Sequence, residues 1–211
     1  MNDELLVEAR MRTLGMLSGP TIHELRGAAN VLALHLQLLT IEPTDDEAVE
    51  RRQRSLAAAD QGRRRLFDIA ETFVRLANLP ETAECDFDLA RVAGDAVALA
   101  RPLAVQRRVD LTLSAPSEPR RVHGRRDVVA QTLLDTLVAV LTGSAGGDEV
   151  EVTVGSQARD VHVDVRTAAA KALDAAFIDR ATSAMQWAGG SLRVADDGVH
   201  VEVPGVPGEP S

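Results

Sequence analysis

Two long stretches in which leucine and isoleucine return every third or fourth residue, separated by one short polar break, constrain this chain more than any other feature. In the first, Ile22, Leu25, Ala29, Leu32, Leu36 and Leu39 keep this spacing. In the second, Leu56, Leu66, Ile69, Phe73, Leu76 and Leu79 do much the same, with the regular spacing running from Leu66. Spacings of three and four lay apolar side chains along one face of a helix. The break, Glu42-Pro43-Thr44-Asp45-Asp46, is too short for anything but a tight connection. Residues 4 to 79 are therefore predicted to form an antiparallel helical hairpin. A lone hairpin buries its apolar faces poorly, and two copies joined as a four-helix bundle would bury them well. A dimer is expected on that ground.

Within the first stretch, Ser18-Gly19-Pro20 precedes Thr21-Ile22-His23-Glu24. Proline inside a helix removes a hydrogen bond and crowds the preceding turn. Thr21 with Glu24 three residues on has the form of a capping box. The helix is expected to kink or restart just before His23.

After residue 83 the periodicity changes. Asp86–Leu89 forms a short strand, and residues 90–107 an alanine-rich helix. Val109–Leu113 alternates, and Arg121–His123 forms a further short strand. Residues 126–142 read as an apolar helix. Residues 149–154 and 161–165 alternate as strands, 168–187 reads as one helix, and 191–194 with 199–203 as a hairpin around Asp196-Asp197-Gly198. The fold class is α+β, a mixed sheet with helices on one face. The expected division is a helical hairpin over 1–82, an α/β sandwich over 83–205 and a disordered tail over 206–211.

Composition narrows the function. The formal net charge is -9, and the Arg pairs and triplets are mostly interspersed with acids. No basic stripe for nucleic acid results. The single cysteine, Cys85, cannot form an internal disulfide, and no metal-ligand spacing surrounds it. No apolar run has the length of a membrane span, and the acidic N-terminus lacks a signal-peptide pattern. A cytoplasmic protein without membrane contact, metal or cofactor is expected.

Leu14-Gly15-Met16-Leu17, Ile22-His23-Glu24-Leu25-Arg26 and Leu36-Gln37-Leu38-Leu39 together resemble the H-box helix of sensor histidine kinases. The order of elements downstream is similar to the ATP-binding domain of the same family. The resemblance spans nearly the whole chain. It implies that His23 is a phosphoacceptor on a dimeric hairpin, that Glu24 orients or deprotonates its imidazole, and that Arg26 contacts the phosphoryl group or a partner. It implies response-regulator receiver domains as partners.

The departures from the family are as informative. Where the resemblance places two Asn residues on the helix after the third short strand, this chain has Asp135 and Ala139. The second position would bind Mg²⁺, which requires oxygen ligands that alanine lacks. Where Asp-x-Gly-x-Gly should follow the strand ending at Val165, the chain has Arg166-Thr167-Ala168-Ala169-Ala170. No glycine-rich lid follows. At the H-box, Gly27 stands where a polar residue is frequent and Ala28 where proline is usual.

An exposed neutral imidazole is a competent nucleophile near pH 7. A receiver aspartyl phosphate would bring its own Mg²⁺, so the hairpin need supply little more than a positioned histidine. The expected function is histidine phosphotransfer in a phosphorelay, through His23 and without ATP. The competing readings are a pseudokinase scaffold that binds a response regulator or kinase independently of phosphate, and an active histidine kinase. His35 is expected to serve packing or an interhelical hydrogen bond. His123, His162 and His200 fall on outward-facing strand positions, and Trp187 is expected to cap a core.

Overall fold

In the computed structural model, α1 (Asp3–Leu39) and α2 (Asp46–Ala77) are joined by a polar turn. Residues 3–77, 82–157 and 160–206 are described. Thr40 donates its hydroxyl to the Gln37 carbonyl at 2.7 Å, closing α1. The Asp45 carboxylate accepts the Ala48 N–H at 2.6 Å and opens α2, satisfying a backbone donor that a helix start leaves unpaired. The helix does not restart at Thr21. It runs unbroken with Pro20 inside it, and the Thr21 side chain is buried within the helix instead of capping one. Pro20 removes only one hydrogen bond from a 37-residue helix, which the turns on either side outweigh.

Contacts divide the chain into two compact units, Ser18–Leu76 and a second made of Met1–Leu17 with Ala77–Ser211. In the first unit the two helices meet through small residues. Ala28 and Ala59 are buried, and a Cβ on Gly62 would lie 3.4 Å from the Leu32 Cβ. Leu25, Leu32, Leu39, Leu66, Ile69 and Phe73 are half-buried. The apolar surface is wider than this seam. Of the periodic residues, Ile22, Leu36 and Leu56 stay 54%, 50% and 60% exposed, and Phe67, outside the periodic set, is 69% exposed. Leu79 lies outside the described residues.

The second unit is an α/β sandwich. Its five-stranded sheet has the order β2 (Asp110–Ser114), β4 (Glu149–Gln157), β5 (Asp160–Arg166), β7 (Gly198–Pro204), β6 (Ser191–Ala195). β2 and β4 are parallel and the other pairs antiparallel, so the sheet is mixed. β1 (Cys85–Asp88) and β3 (Arg121–Gly124) form a separate antiparallel pair. Successive strand residues point to opposite faces. Accordingly Val150, Val152, Val154, Val161, Val163, Val165, Val199, Val201 and Val203 are buried, and the polar residues between them are not.

Helices cover the valine face. α3 (Leu89–Arg107) starts at Asp88, whose carboxylate accepts the N–H groups of Ala90 and Arg120. α4 (Arg126–Gly143) is the most enclosed, with Leu133, Leu134, Leu137 and Leu141 each at 2% exposure or less. The helix expected over 168–187 is two elements. A 3-10 turn at Ala168–Ala172 is capped by Thr167, and α5 (Ala175–Trp187) is capped by Asp174. Each capping side chain accepts a backbone N–H, and extended backbone at Leu173 separates them. Val206, placed in the expected tail, donates its N–H to the Arg121 carbonyl. Residues 207–211 lie outside the described residues.

Candidate functional site

His23 lies on α1 within the hairpin unit. Its ring is exposed, and it makes no hydrogen bond or ion pair among the described residues. A helix turns about 100° per residue, so adjacent side chains diverge. Glu24 follows that rule. It turns toward α2, where Arg65 donates to its Oε1 at 2.5 Å. Glu24 is the more enclosed partner, with its side chain 20% exposed against 62% for Arg65. Arg65 follows Arg63 and Arg64, which both bind Asp60 on their own helix. The basic triplet is thus split between an intrahelical clamp and one arm across the hairpin. Sequence reading missed Arg65; only the helix register aligns it with Glu24. Arg26 is exposed and makes no ion pair among the described residues. His35 is half-buried, and its Nδ1 has no hydrogen-bond partner among the described residues.

In the sandwich unit, the α4 positions singled out in sequence are joined to the first turns of α1. Thr13 donates its hydroxyl to Asp135 Oδ1. Gln131 Nε2 donates to the same oxygen at 2.8 Å and lies 3.0 Å from Thr13 Oγ1. Arg10 Nε donates to Gln131 Oε1 at 3.4 Å, and its guanidinium faces Asp127 at 3.7 Å. Burial lowers the Arg10 pKa, with Asp127 and Asp135 opposing that effect. Burial pushes Asp135 up to about 6, against the pull of the Thr13 and Gln131 hydrogen bonds and of Arg12 and Arg180.

These residues do not fit a magnesium-bound nucleotide. Ala139, half-buried on the same helix, has no oxygen to offer, and Asp135 Oδ1 is occupied twice over. At the end of β5, Arg166 pairs with Glu151 at 3.6 Å. Thr167 donates its N–H to the Asp197 carbonyl, and Ala169 and Ala170 are buried in the 3-10 turn. That segment is closed by its own caps.

Two histidines treated as separate in sequence come together on the polar face of the sheet. Register places Asp164 opposite His200 and His162 opposite Glu202. The imidazoles stack with centroids 5.4 Å apart, and His200 Nδ1 lies 2.5 Å from Asp164 Oδ1. Gly155 gives His162 room, since a Cβ there would fall 2.6 Å from its Nε2. Among the described residues no group of three or more His, Cys, Asp or Glu is arranged to hold a metal ion. His123 is tied to Asp86 at 2.7 Å. Trp187 is half-buried beneath the Arg125 guanidinium, 5.0 Å from its ring, and accepts the Arg125 Nε–H on its carbonyl. Among the described residues no helix is long and apolar enough to cross a membrane.

Searched by sequence, the chain matches no family model and no curated protein. Solved structures do match. The histidine kinase AdeS of Acinetobacter baumannii is 14% identical, with 86% of this chain and 97% of that chain covered and a TM-score of 0.50. A histidine kinase from Burkholderia phymatum is 17% identical over 87% of this chain and 97% of its own, with a TM-score of 0.47. Histidine kinase ThkA, solved in complex with the response regulator TrrA, is 16% identical over 95% of this chain and 64% of its own, with a TM-score of 0.49. Element order and the AdeS superposition agree: the chain has the histidine-kinase fold, a helical hairpin followed by an α/β sandwich of the kinase ATP-binding type.

Proposed function

We propose that this protein is a histidine phosphotransfer component of a two-component phosphorelay, taking phosphate on His23 from a receiver-domain aspartate and passing it to another receiver without using ATP. The observation that carries this reading is an exposed, unpartnered His23 beside a Glu24 that Arg65 anchors across the hairpin. In the forward step, the lone pair of one imidazole nitrogen attacks phosphorus. The aspartyl C–O–P linkage breaks between oxygen and phosphorus, the carboxylate leaves with the electron pair, and a P–N bond forms. The second ring nitrogen holds the imidazole proton, and stabilising it is the role that the family resemblance gives Glu24, whose carboxylate is held by Arg65 in this structure. Receiver domains bring their own Mg²⁺, so the chain's share is position and charge. Arg26, exposed one turn from His23, is suited to contact the phosphoryl group or the receiver's acidic rim.

Dimerisation of the hairpin belongs to the same proposal. The apolar stripe left open at Ile22, Leu36, Leu56 and Phe67 needs a cover, and a second copy as a four-helix bundle supplies one. The competing reading, a scaffold that binds a regulator or kinase without phosphate transfer, draws on Gly27 and Ala28, where the H-box pattern is lost.

The test is incubation with a phosphorylated receiver domain and measurement of acid-labile phosphate on the chain. Label on the wild type and none on His23→Ala is the expected result. Absence of label on the wild type, or equal label on His23→Ala, overturns phosphotransfer and leaves the scaffold.

A further inference from the structure

The part of α1 that belongs to the sandwich unit docks by one narrow stripe. Leu6, Arg10, Thr13 and Leu17 recur at helical spacing and are all buried, while Met11 and Met16 between them are exposed. The stripe is apolar only at its ends. Its middle, Arg10 and Thr13, meets Asp127, Gln131 and Asp135 of α4. The fit is loose. Packed interiors leave few voids larger than a water molecule, yet a cavity of about 760 Å³ lies between this stretch, α4 and α5. Leu17 is also the last residue that α1 gives to this unit. Two residues further on stand Gly19, with open space around it, and Pro20, which has no N–H. Both are poor helix formers.

We propose that residues 3–17 form a strap over α4 that undocks while the sandwich stays folded, and that Asp135 fastens the strap as an acid and loosens it as a carboxylate. The geometry sets this sign. Asp135 Oδ1 accepts from two neutral donors, Thr13 on the strap and Gln131 on α4. Among the described residues no cation is hydrogen-bonded to it. The cations that act on it from a distance are Arg10 and Arg12 on the strap and Arg180 on α5; Asp174 and Asp179 share the surrounding wall. Their pull does not match the cost of taking the charge out of water, and burial holds the carboxyl up at about 6. Undocking removes Thr13 and opens Asp135 to water, where an aspartate returns toward 3.8. The docked strap therefore binds the proton more tightly. Fastening is complete below about pH 4, weakens as pH rises through 6 and is constant above that. From pH 5 to pH 8 the balance moves toward release about tenfold. The inference does not rest on phosphotransfer through His23.

The test is thiol labelling of the folded full chain carrying Leu17→Cys, with Cys85→Ser to remove the exposed native thiol. Each rate is taken relative to the same chain in urea at the same pH, which cancels the thiol's own ionisation and gives the opening equilibrium of the strap. Urea unfolding of the same variant, followed by Trp187, the only tryptophan, gives that of the sandwich. At pH 8 the strap is expected to open at least about tenfold more readily than the sandwich unfolds. Opening is expected to fall about tenfold at pH 5. Asp135→Asn, neutral throughout, should open equally little at both. Opening no more frequent than global unfolding overturns the strap. A pH dependence that survives Asp135→Asn overturns the role of Asp135. If Leu17→Cys prevents folding or leaves the strap open at both pH values, Leu6→Cys, at the other end of the stripe, decides by the same two criteria.

Discussion

Arg65, on the second helix of the hairpin, donates to the carboxylate of Glu24, the residue that follows His23, at 2.5 Å. An ion pair with one partner this exposed contributes about 1 kcal/mol or less to stability, so its effect belongs to the geometry around His23. Arg65→Ala is expected to slow phosphate arrival on His23 on the order of tenfold, with an unfolding midpoint close to wild type. Arg65→Lys should recover part of the rate. Rapid-quench transfer from a phosphorylated receiver measures it, and unchanged kinetics in Arg65→Ala would remove Arg65 from the site.

The open stripe on the hairpin leads to an oligomeric prediction. Leu36→Glu combined with Phe67→Glu places two charges where 50% and 69% of each side chain already meet solvent. Substitutions at such exposed positions usually change stability by about 0.5 kcal/mol or less. In sedimentation velocity the wild type is expected to run as a dimer and the double variant as a folded monomer. A wild type that stays monomeric at micromolar concentration would leave the stripe without the partner assigned to it.

Asp135 gives the sandwich unit a pH dependence of defined sign. Its folded pKa, about 6, lies above the ordinary 3.8, so folding takes up a proton between these values. Its contribution is most favourable below about pH 4, falls as pH rises through 6, and is constant above that. Asp135→Asn keeps an acceptor for Thr13 and Gln131 without the charge. It is expected to be more stable than wild type at pH 8 by roughly 2–3 kcal/mol, the difference vanishing near pH 4. Urea unfolding across this range would show it, and a gap independent of pH would contradict the assignment.

Thr13→Val tests the other end of the same bond. It preserves shape and deletes the donor, leaving Asp135 with Gln131 alone. A loss of about 1–3 kcal/mol is expected, while Thr13→Ser stays near wild type.

Gly189 and Gly190, adjacent in sequence, are predicted to respond differently to alanine. Gly189 has φ of +89° with open space around it, so alanine meets only backbone strain, about 1 kcal/mol. A Cβ on Gly190 would lie 2.4 Å from the Glu202 carbonyl oxygen, which part of the β6–β7 pairing must move to accommodate. Gly190→Ala should therefore be the more damaging of the two in thermal unfolding.

Periodicity exposed most of the architecture. The valines of β4, β5 and β7 alternate because one sheet face is covered, and that signal is local. The hairpin was legible for the same reason. Helix interruptions were less so. Pro20 carries a strong breaking signal, yet α1 passes through it, because many intact turns outvote one missing bond. Residues 168–187 are compositionally uniform, and only the capping side chains of Thr167 and Asp174 mark the division. Candidate-site partners were least legible. Arg65 lies 41 residues from Glu24, Asp135 lies 122 from Thr13 and His200 lies 36 from Asp164. Each of these pairs exists only once helix packing or strand order is fixed.

The strand order also governs how copies of this chain meet in a crowded solution. β2 and β6 are the two edges of the sheet, and each is only five residues long. Asp110 is exposed on one and Arg193 on the other, and Pro116 lies just beyond β2. Short, charged edges are poor templates for recruiting a foreign strand, so the sheet resists aggregation even though it is open at both ends.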